Sequence, residues 1–187
     1  MNFFYKLPVD NLKEIQISAL SKIPPEEITR KPTRLFYPNY NFLDDTNFVS
    51  ALKKYNLYEH IHDIALFVMG PVHTSPIHVD GDDVYTWSFN IPLTGCANTE
   101  TNFFVSDYEP IKTKSPNSNI IYSTYDVNRC QLAGSLELVE PYIMNVSKPH
   151  NIVNPNHTQR VSLCVRIKSN FDINNLVREA GVEPARP

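Results

Sequence analysis

At 187 residues, 42% of them hydrophobic, the chain has the length of one domain and enough apolar material for one substantial core. A formal net charge of −3, with charged residues at 20% and no block of five or six like charges, leaves no electrostatic footprint for nucleic acid or an anionic membrane surface. Three cysteines, Cys96, Cys130 and Cys164, are odd in number and widely spaced, which excludes a disulfide framework or a CxxC zinc site and fits reduced thiols in a cytosol.

Helical signals come first along the chain. Leu12, Ile15, Ile17, Leu20 and Ile23 recur at mostly helical spacing until Pro24-Pro25 ends the run. A second helix is expected after Asp44-Asp45, with Thr46 as its cap and Phe48, Leu52, Tyr55 and Leu57 on one side. The opening Met-Asn-Phe-Phe-Tyr-Lys-Leu-Pro is apolar over too short a stretch for a signal peptide, and no run approaches the roughly 18 to 20 apolar residues of a membrane span. The expectation is a soluble cytoplasmic protein.

From about residue 62 the texture turns β-like. Ile64–Met69, Val84–Leu93, Asn102–Val105, Asn119–Thr124, Ser135–Val139, Tyr142–Val146 and Arg160–Ile167 are short apolar, aromatic or β-branched runs. Turn formers separate them at Gly81-Asp82-Asp83, Thr94-Gly95, Ser115-Pro116-Asn117-Ser118, Gly134 and Asn154-Pro155-Asn156. Seven or eight strands so spaced predict a sandwich or barrel. Ser169 or Asn170 then caps a last helix carrying Ile173, Leu176, Val177 and Ala180 on one face, with Gly181 past its end. The layout is a single domain over 1–187: a helical segment 1–60 packed on a β core 62–168, a closing helix 169–181 and a disordered tail 182–187.

The chemistry gathers in two places. In Pro71-Val-His-Thr-Ser-Pro-Ile-His-Val-Asp-Gly, the pair His78 and Asp80 falls on one face of an extended chain, where an imidazole and a carboxylate grip one metal. A second histidine from a distant strand would give two imidazoles and one carboxylate on one side of the ion, with open positions opposite; this arrangement suits non-haem Fe(II). His150 is the favoured partner and stands before a turn, whereas His157 sits in a Pro-Asn turn where a solvated histidine is the default. His73 falls on the other face of its segment unless a bulge intervenes. Ten residues beyond His150, Arg160 opens a strand on which it shares one face with Ser162 and Cys164, while Val161, Leu163, Val165 and Ile167 share the other. A planar guanidinium facing a pocket fits a carboxylate with two parallel hydrogen bonds, the Ser162 hydroxyl adds a third, and a cation buried there is costly without an anion. A dicarboxylic cosubstrate would supply that anion at one end and chelate the metal at the other. Asn90 and Asn102 lie on candidate inner strands as hydrogen-bonding groups for cosubstrate or substrate.

His78-Val-Asp80-Gly81, the Trp87–Leu93 strand with Cys96–Phe104, and Pro149–Asn154 running into Arg160-Val-Ser162 together resemble the 2-oxoglutarate- and Fe(II)-dependent oxygenase superfamily. The likeness is to its short stand-alone members from aquatic microbes and phages, and more distantly to its aspartyl/asparaginyl and prolyl hydroxylase branches. It covers about residues 70 to 168. It implies a double-stranded β-helix, the cupin-type jelly roll, with flanking N-terminal helices and a short C-terminal helix. It also implies a metal held by His78, Asp80 and His150, and 2-oxoglutarate held by Arg160 and Ser162. Dioxygen would be consumed in hydroxylating a C–H bond of a protein side chain, an amino acid or a small metabolite as 2-oxoglutarate is decarboxylated to succinate. Halogenating members carry a small residue in place of the carboxylate ligand, so Asp80 favours hydroxylation. Two other readings stand beside this one: a metal-binding cupin without 2-oxoglutarate, which has no need of Arg160 and Ser162, and a non-catalytic jelly-roll binding protein.

Overall fold

In chain order, the computed structural model places strand β1 at Phe4–Lys6, helix α1 at Leu12–Ser21, α2 at Pro25–Thr29, β2 at Arg34–Phe36 and α3 at Thr46–Lys54. The β core follows as β3 (Ile61–Met69), β4 (His73–Thr74), β5 (His78–Val79), β6 (Tyr85–Thr94), β7 (Glu100–Val105), β8 (Ile111–Lys114) and β9 (Ile121–Thr124). It continues as β10 (Gln131–Glu137), β11 (Tyr142–Asn145), β12 (His150–Asn154) and β13 (Arg160–Lys168), and α4 (Ile173–Ala180) closes the chain. The residues described are 2–29, 34–36, 41–80, 84–114 and 121–182; the expected turns at Gly81-Asp82-Asp83 and at 115–118, and the tail beyond Val182, lie outside them.

Two antiparallel sheets carry the fold. One has the order β1-β11-β6-β13-β3-β2, the other β10-β7-β12-β5-β9-β8, with β4 also pairing β12. From β3 onward the core chain passes β3 to the first sheet, β5 to the second, β6 back to the first and β7 to the second. It then returns as β10 in the second, β11 in the first, β12 in the second and β13 in the first. Four neighbouring strands in each sheet are thus filled alternately by two antiparallel arms, which is the double-stranded β-helix expected from the resemblance.

The two-residue period of β13 decides which face does what. Val161, Leu163, Val165 and Ile167 are fully buried in a cluster with Ile15 and Ala19 of α1, Phe48, Ala51 and Leu52 of α3, and Leu176 of α4. The helices therefore cover the outer face of the first sheet, and each of those β13 side chains contributes about 1.5–3 kcal/mol by leaving water. A second cluster fills the space between the sheets at one side: Phe3, Phe4, Tyr85 and Met144 meet Phe103 and Leu136. Phe103 stacks on Phe3 at 5.3 Å between ring centres. Pro92 sits within the central strand β6, where it cannot donate to the ladder; the register between β6 and β13 shifts there, setting Val161 against Thr94 and Ser162 against Pro92. The side chain of Gln16 on α1 bonds the Pro92 carbonyl at 2.7 Å and ties the helix to this irregularity.

Several expectations need correction. The N-terminal third is not only helical: β1 and β2 extend the first sheet at its two edges. The cap of α3 is Asp45 rather than Thr46, and the cap of α4 is Asp172 rather than Ser169 or Asn170. In both helices the carboxylate accepts the first free backbone N–H groups, and at Gly181 the chain leaves α4 in the left-handed region as expected. Val182, assigned to a disordered tail, is buried in the outer cluster. Among the described residues no helix is long and apolar enough to cross a membrane.

Asp45 Oδ1 accepts from the N–H groups of Asn47 at 2.9 Å and Phe48 at 3.0 Å. Burial alone would raise its pKa, but the Ser18 hydroxyl, those two N–H groups and the nearby Lys22 outweigh it and hold the carboxyl below its ordinary value. Asp45→Ala is expected to cost about 1 kcal/mol in a urea titration. Because the folded pKa is the lower one, this contribution is present above the unfolded value of about 3.9 and is lost as pH falls through the folded pKa, so wild type and variant should converge in stability in strong acid.

Candidate metal centre

His78 and His150 face each other directly across the β5–β12 pairing, with ring centres 4.5 Å apart. The backbone fixes both rings in the same way. His78 Nδ1 lies 2.8 Å from the carbonyl of Pro76, and His150 Nδ1 lies 2.9 Å from that of Lys148, in each case the residue two back. A carbonyl only accepts, so Nδ1 carries the proton and Nε2 is the nitrogen left to bind something else. Asp80 follows His78 by the strand period and is held by its N–H to the Val146 carbonyl at 2.8 Å. Its Oδ1 lies 3.2 Å from His78 Nε2. One ligand atom from each of His78, Asp80 and His150 comes within 4.8 Å of the others, a spacing that can hold one metal ion.

The electrostatics of the three residues are unequal. Burial lowers the His150 pKa to about 4, reinforced by His78 and only partly opposed by Asp80 and the Lys148 carbonyl, so this imidazole is neutral at physiological pH. Burial also works against charge on His78, but hydrogen bonding to Asp80, the carboxylate's field and the Pro76 carbonyl win and raise its pKa. Burial would raise Asp80; His78 and His150 pull it lower instead. The Tyr122 ring stands edge-on to His78 at 6.0 Å, a neighbour contributed by β9.

Arg160 lies on the interior face of β13 and is 1% exposed. Its Nε bonds the Thr99 hydroxyl at 3.2 Å, its Nη1 is 3.5 Å from Ser162 Oγ, and the guanidinium carbon is 5.8 Å from the centre of the Phe67 ring. Among the described residues no carboxylate stands within ion-pair distance of it. Burial lowers its pKa, yet an arginine remains a cation at any ordinary pH. Farther along the same strand face, Arg166 is different. Its Nε and Nη2 each meet an oxygen of Asp63 at 2.6 Å, and its Nη1 meets the Tyr85 hydroxyl at 2.8 Å.

The turn that carries the chain from β12 in the second sheet to β13 in the first links the histidine to the guanidinium. Its anchor is Asn154, fully buried, whose Nδ2 bonds the carbonyls of Gly70 at 2.8 Å and Thr158 at 3.0 Å while its Oδ1 accepts from Asn156 at 3.1 Å.

Of the residues singled out from sequence, His78, Asp80 and His150 come together, and Arg160 and Ser162 share the interior face with Asn90, which pairs in register with Cys164. His150 begins a strand, β12, that runs on into the expected turn at Asn154-Pro155-Asn156. His73 and His157 are exposed and outside the cluster. Asn102 points the other way: its Nδ2 is 3.5 Å from Glu100 on the outer side of β7, and the inner side carries Thr101 and Phe103 instead. Thr99 and Thr101 were not picked out from sequence. The signal was available, because the exposed Glu100 shares the phase of Asn102 and so assigns that phase to the outside.

No protein-family model matches the chain, and no curated protein matches it. Among solved structures it is similar to a prolyl-4-hydroxylase of Pseudomonas putida, with 12% identity over 91% of this chain and 90% of that one and a TM-score of 0.48. It is similar to AviO1 of Streptomyces viridochromogenes, with 11% identity over 90% of each chain and a TM-score of 0.47. Over smaller spans, 68% of this chain and 59% of the other, it is similar to an oxalate oxidase in complex with glycolate, at 12% identity and a TM-score of 0.36.

Gly95, in the turn after β6, adopts φ +63°, and a Cβ there would lie 2.0 Å from the carbonyl oxygen of Gln159, the residue before Arg160. Gly95→Ala is therefore expected to lower stability by about 2 kcal/mol or more, since both the left-handed backbone and the overlap must be relieved. Chemical denaturation of the two proteins measures this directly.

Proposed function

We propose that the protein is a 2-oxoglutarate- and Fe(II)-dependent oxygenase that hydroxylates a C–H bond of a protein side chain, an amino acid or a small metabolite. The observation that carries the reading is the pairing of a His-Asp-His cluster with a buried arginine that lacks a carboxylate partner among the described residues. Arg166, on the same strand face and less deeply buried, has Asp63. The more expensive of the two cations is thus the one without an anion among the described residues, as expected if a ligand supplies it.

The residues fit both groups. Two imidazoles with Nε2 available and one carboxylate form the donor set of a facial Fe(II) site, and the His150 ring needs no deprotonation before it binds. Arg160 turns its Nε to Thr99 and leaves its terminal nitrogens for a carboxylate, with Ser162 beside them. When bound, Fe(II) with 2-oxoglutarate would supply activation of dioxygen, coupled to decarboxylation of the cosubstrate to succinate. The chain's own work is to hold three donors in place and to anchor the distal carboxylate in register with them. Asn90, Ser162 and Cys164 line the interior between those two points, and the apolar packing around Phe103 keeps water from the His150 side.

Anaerobic titration with Fe(II) and then 2-oxoglutarate tests the reading through the weak visible charge-transfer band of the chelate. Asp80→Ala is expected to abolish the band. Arg160→Met should weaken 2-oxoglutarate binding by about 100-fold, the loss of two charge-assisted hydrogen bonds. The ligand-free Arg160→Met protein should melt no lower than wild type, because a buried unpaired cation has been replaced by a side chain of similar length. Metal binding without 2-oxoglutarate binding would instead identify a cupin of other chemistry, and binding of neither would leave a non-catalytic jelly roll.

A further inference from the structure

We propose that the hydroxyl of Thr101 is a second anchor for the bound dicarboxylate, reaching it from the sheet opposite Arg160; the inference rests on the reading above and adds a residue to it. Thr101 is 1% exposed and its Oγ1 has no hydrogen-bond partner among the described residues. A buried hydroxyl left unpaired costs about 1–3 kcal/mol, so the position calls for an explanation.

The surroundings supply one. Thr101 and Phe103 of β7 share a phase with Thr99, the residue just before the strand, and Phe103 points into the space between the sheets, where its ring meets His150 at 5.8 Å. At the other end of this row the Thr99 hydroxyl accepts from Arg160 Nε. Thr101 therefore stands midway between the metal-binding row and the guanidinium row, about 6–7 Å along the strand from each. A dicarboxylate chelating at one row and meeting Arg160 at the other must pass it.

Its immediate neighbours cannot satisfy it. The residues in register on either side are Leu136 of β10 and Ile152 of β12, whose side chains are hydrocarbon. Thr99 is already spent, donating to the Cys96 carbonyl at 2.6 Å while accepting from Arg160. On β7, Thr101 thus has a buried hydroxyl with a donor to give. A carboxylate is an acceptor on every lone pair and takes donors from several directions. Arg160 and Ser162 serve it from the first sheet, Thr101 from the second, and the ligand joins the two sheets through its own oxygens.

The test compares wild type, Thr101→Val and Thr101→Ser in anaerobic 2-oxoglutarate titrations of the Fe(II)-loaded protein, together with the Tm of each protein free of ligand and metal. Valine keeps the shape and removes the hydroxyl. It is expected to weaken 2-oxoglutarate binding by about tenfold or more and to shrink the rise in Tm that 2-oxoglutarate produces. The ligand-free Tm should stay level or rise, because an unsatisfied group has gone. Serine should bring the affinity back to within about threefold of wild type. Equal affinity of wild type and Thr101→Val overturns the inference and leaves the oxygenase reading standing. A fall in the ligand-free Tm of Thr101→Val also overturns it, since the hydroxyl would then serve the fold. Failure of wild type to bind 2-oxoglutarate removes both.

Discussion

A guanidinium buried without a carboxylate partner among the described residues is the constraint on which the rest of this structure turns. Taking a cation out of water costs several kcal/mol, and the protein elsewhere meets that cost with a forked ion pair between Arg166 and Asp63. At Arg160 the described residues offer the Thr99 and Ser162 hydroxyls and the face of Phe67. The strand can bear this because its other face is so well buried. Four apolar side chains of β13 pack under the helices, and each stabilises the fold by an amount comparable to a good part of the penalty. One strand thus holds the sheet in place with its outer residues and carries charge into the interior with its inner ones.

The His-Asp-His cluster is built with equally few parts. In an extended chain the carbonyl two residues back lies beside a side chain of the same face, and both histidines use it: Pro76 for His78, Lys148 for His150. The two rings are set in tautomer and orientation by local backbone, and the antiparallel pairing of β5 with β12 then brings them opposite each other. Asp80 needs only the strand period to join them. An ion bound there would find its three donors already oriented by backbone contacts.

Much of this was legible in the residues and some was not, for reasons that can be named. His78 with Asp80, and Arg160 with Ser162, are pairs at spacing two, and that period is the same in any strand, so their shared face could be read directly. His150 was identified although its strand was not: Pro149, Asn151 and Asn154 look like turn residues, and here they flank or form a polar strand in which Asn154 bonds the carbonyls of Gly70 and Thr158. Asn102 failed by one step of phase. On a strand with polar residues on both faces, hydrophobicity does not set the phase, and a one-residue error exchanges inside for outside. The helix caps failed for a smaller reason: Asp45 precedes Thr46 and Asp172 follows Asn170, and with several cap-forming residues in a row only the backbone decides which one turns.

Charge balance unites the two halves of the interior. The polar core between the sheets carries Asp80 with one negative charge, Arg160 with one positive charge and His150 held neutral, while His78 rests against Asp80. A divalent metal alone would add two positive charges beside an arginine that already lacks a partner among the described residues. A dianion alone would meet Arg160 but lie against the Asp80 carboxylate. Together, a divalent ion and a dicarboxylate would bring the interior to neutrality once His78 gave up any proton it holds, each placing the other's counter-charge where the described residues have none to spare. On this argument the two ligands should favour each other's binding through the field they share, with no movement of the sheets required.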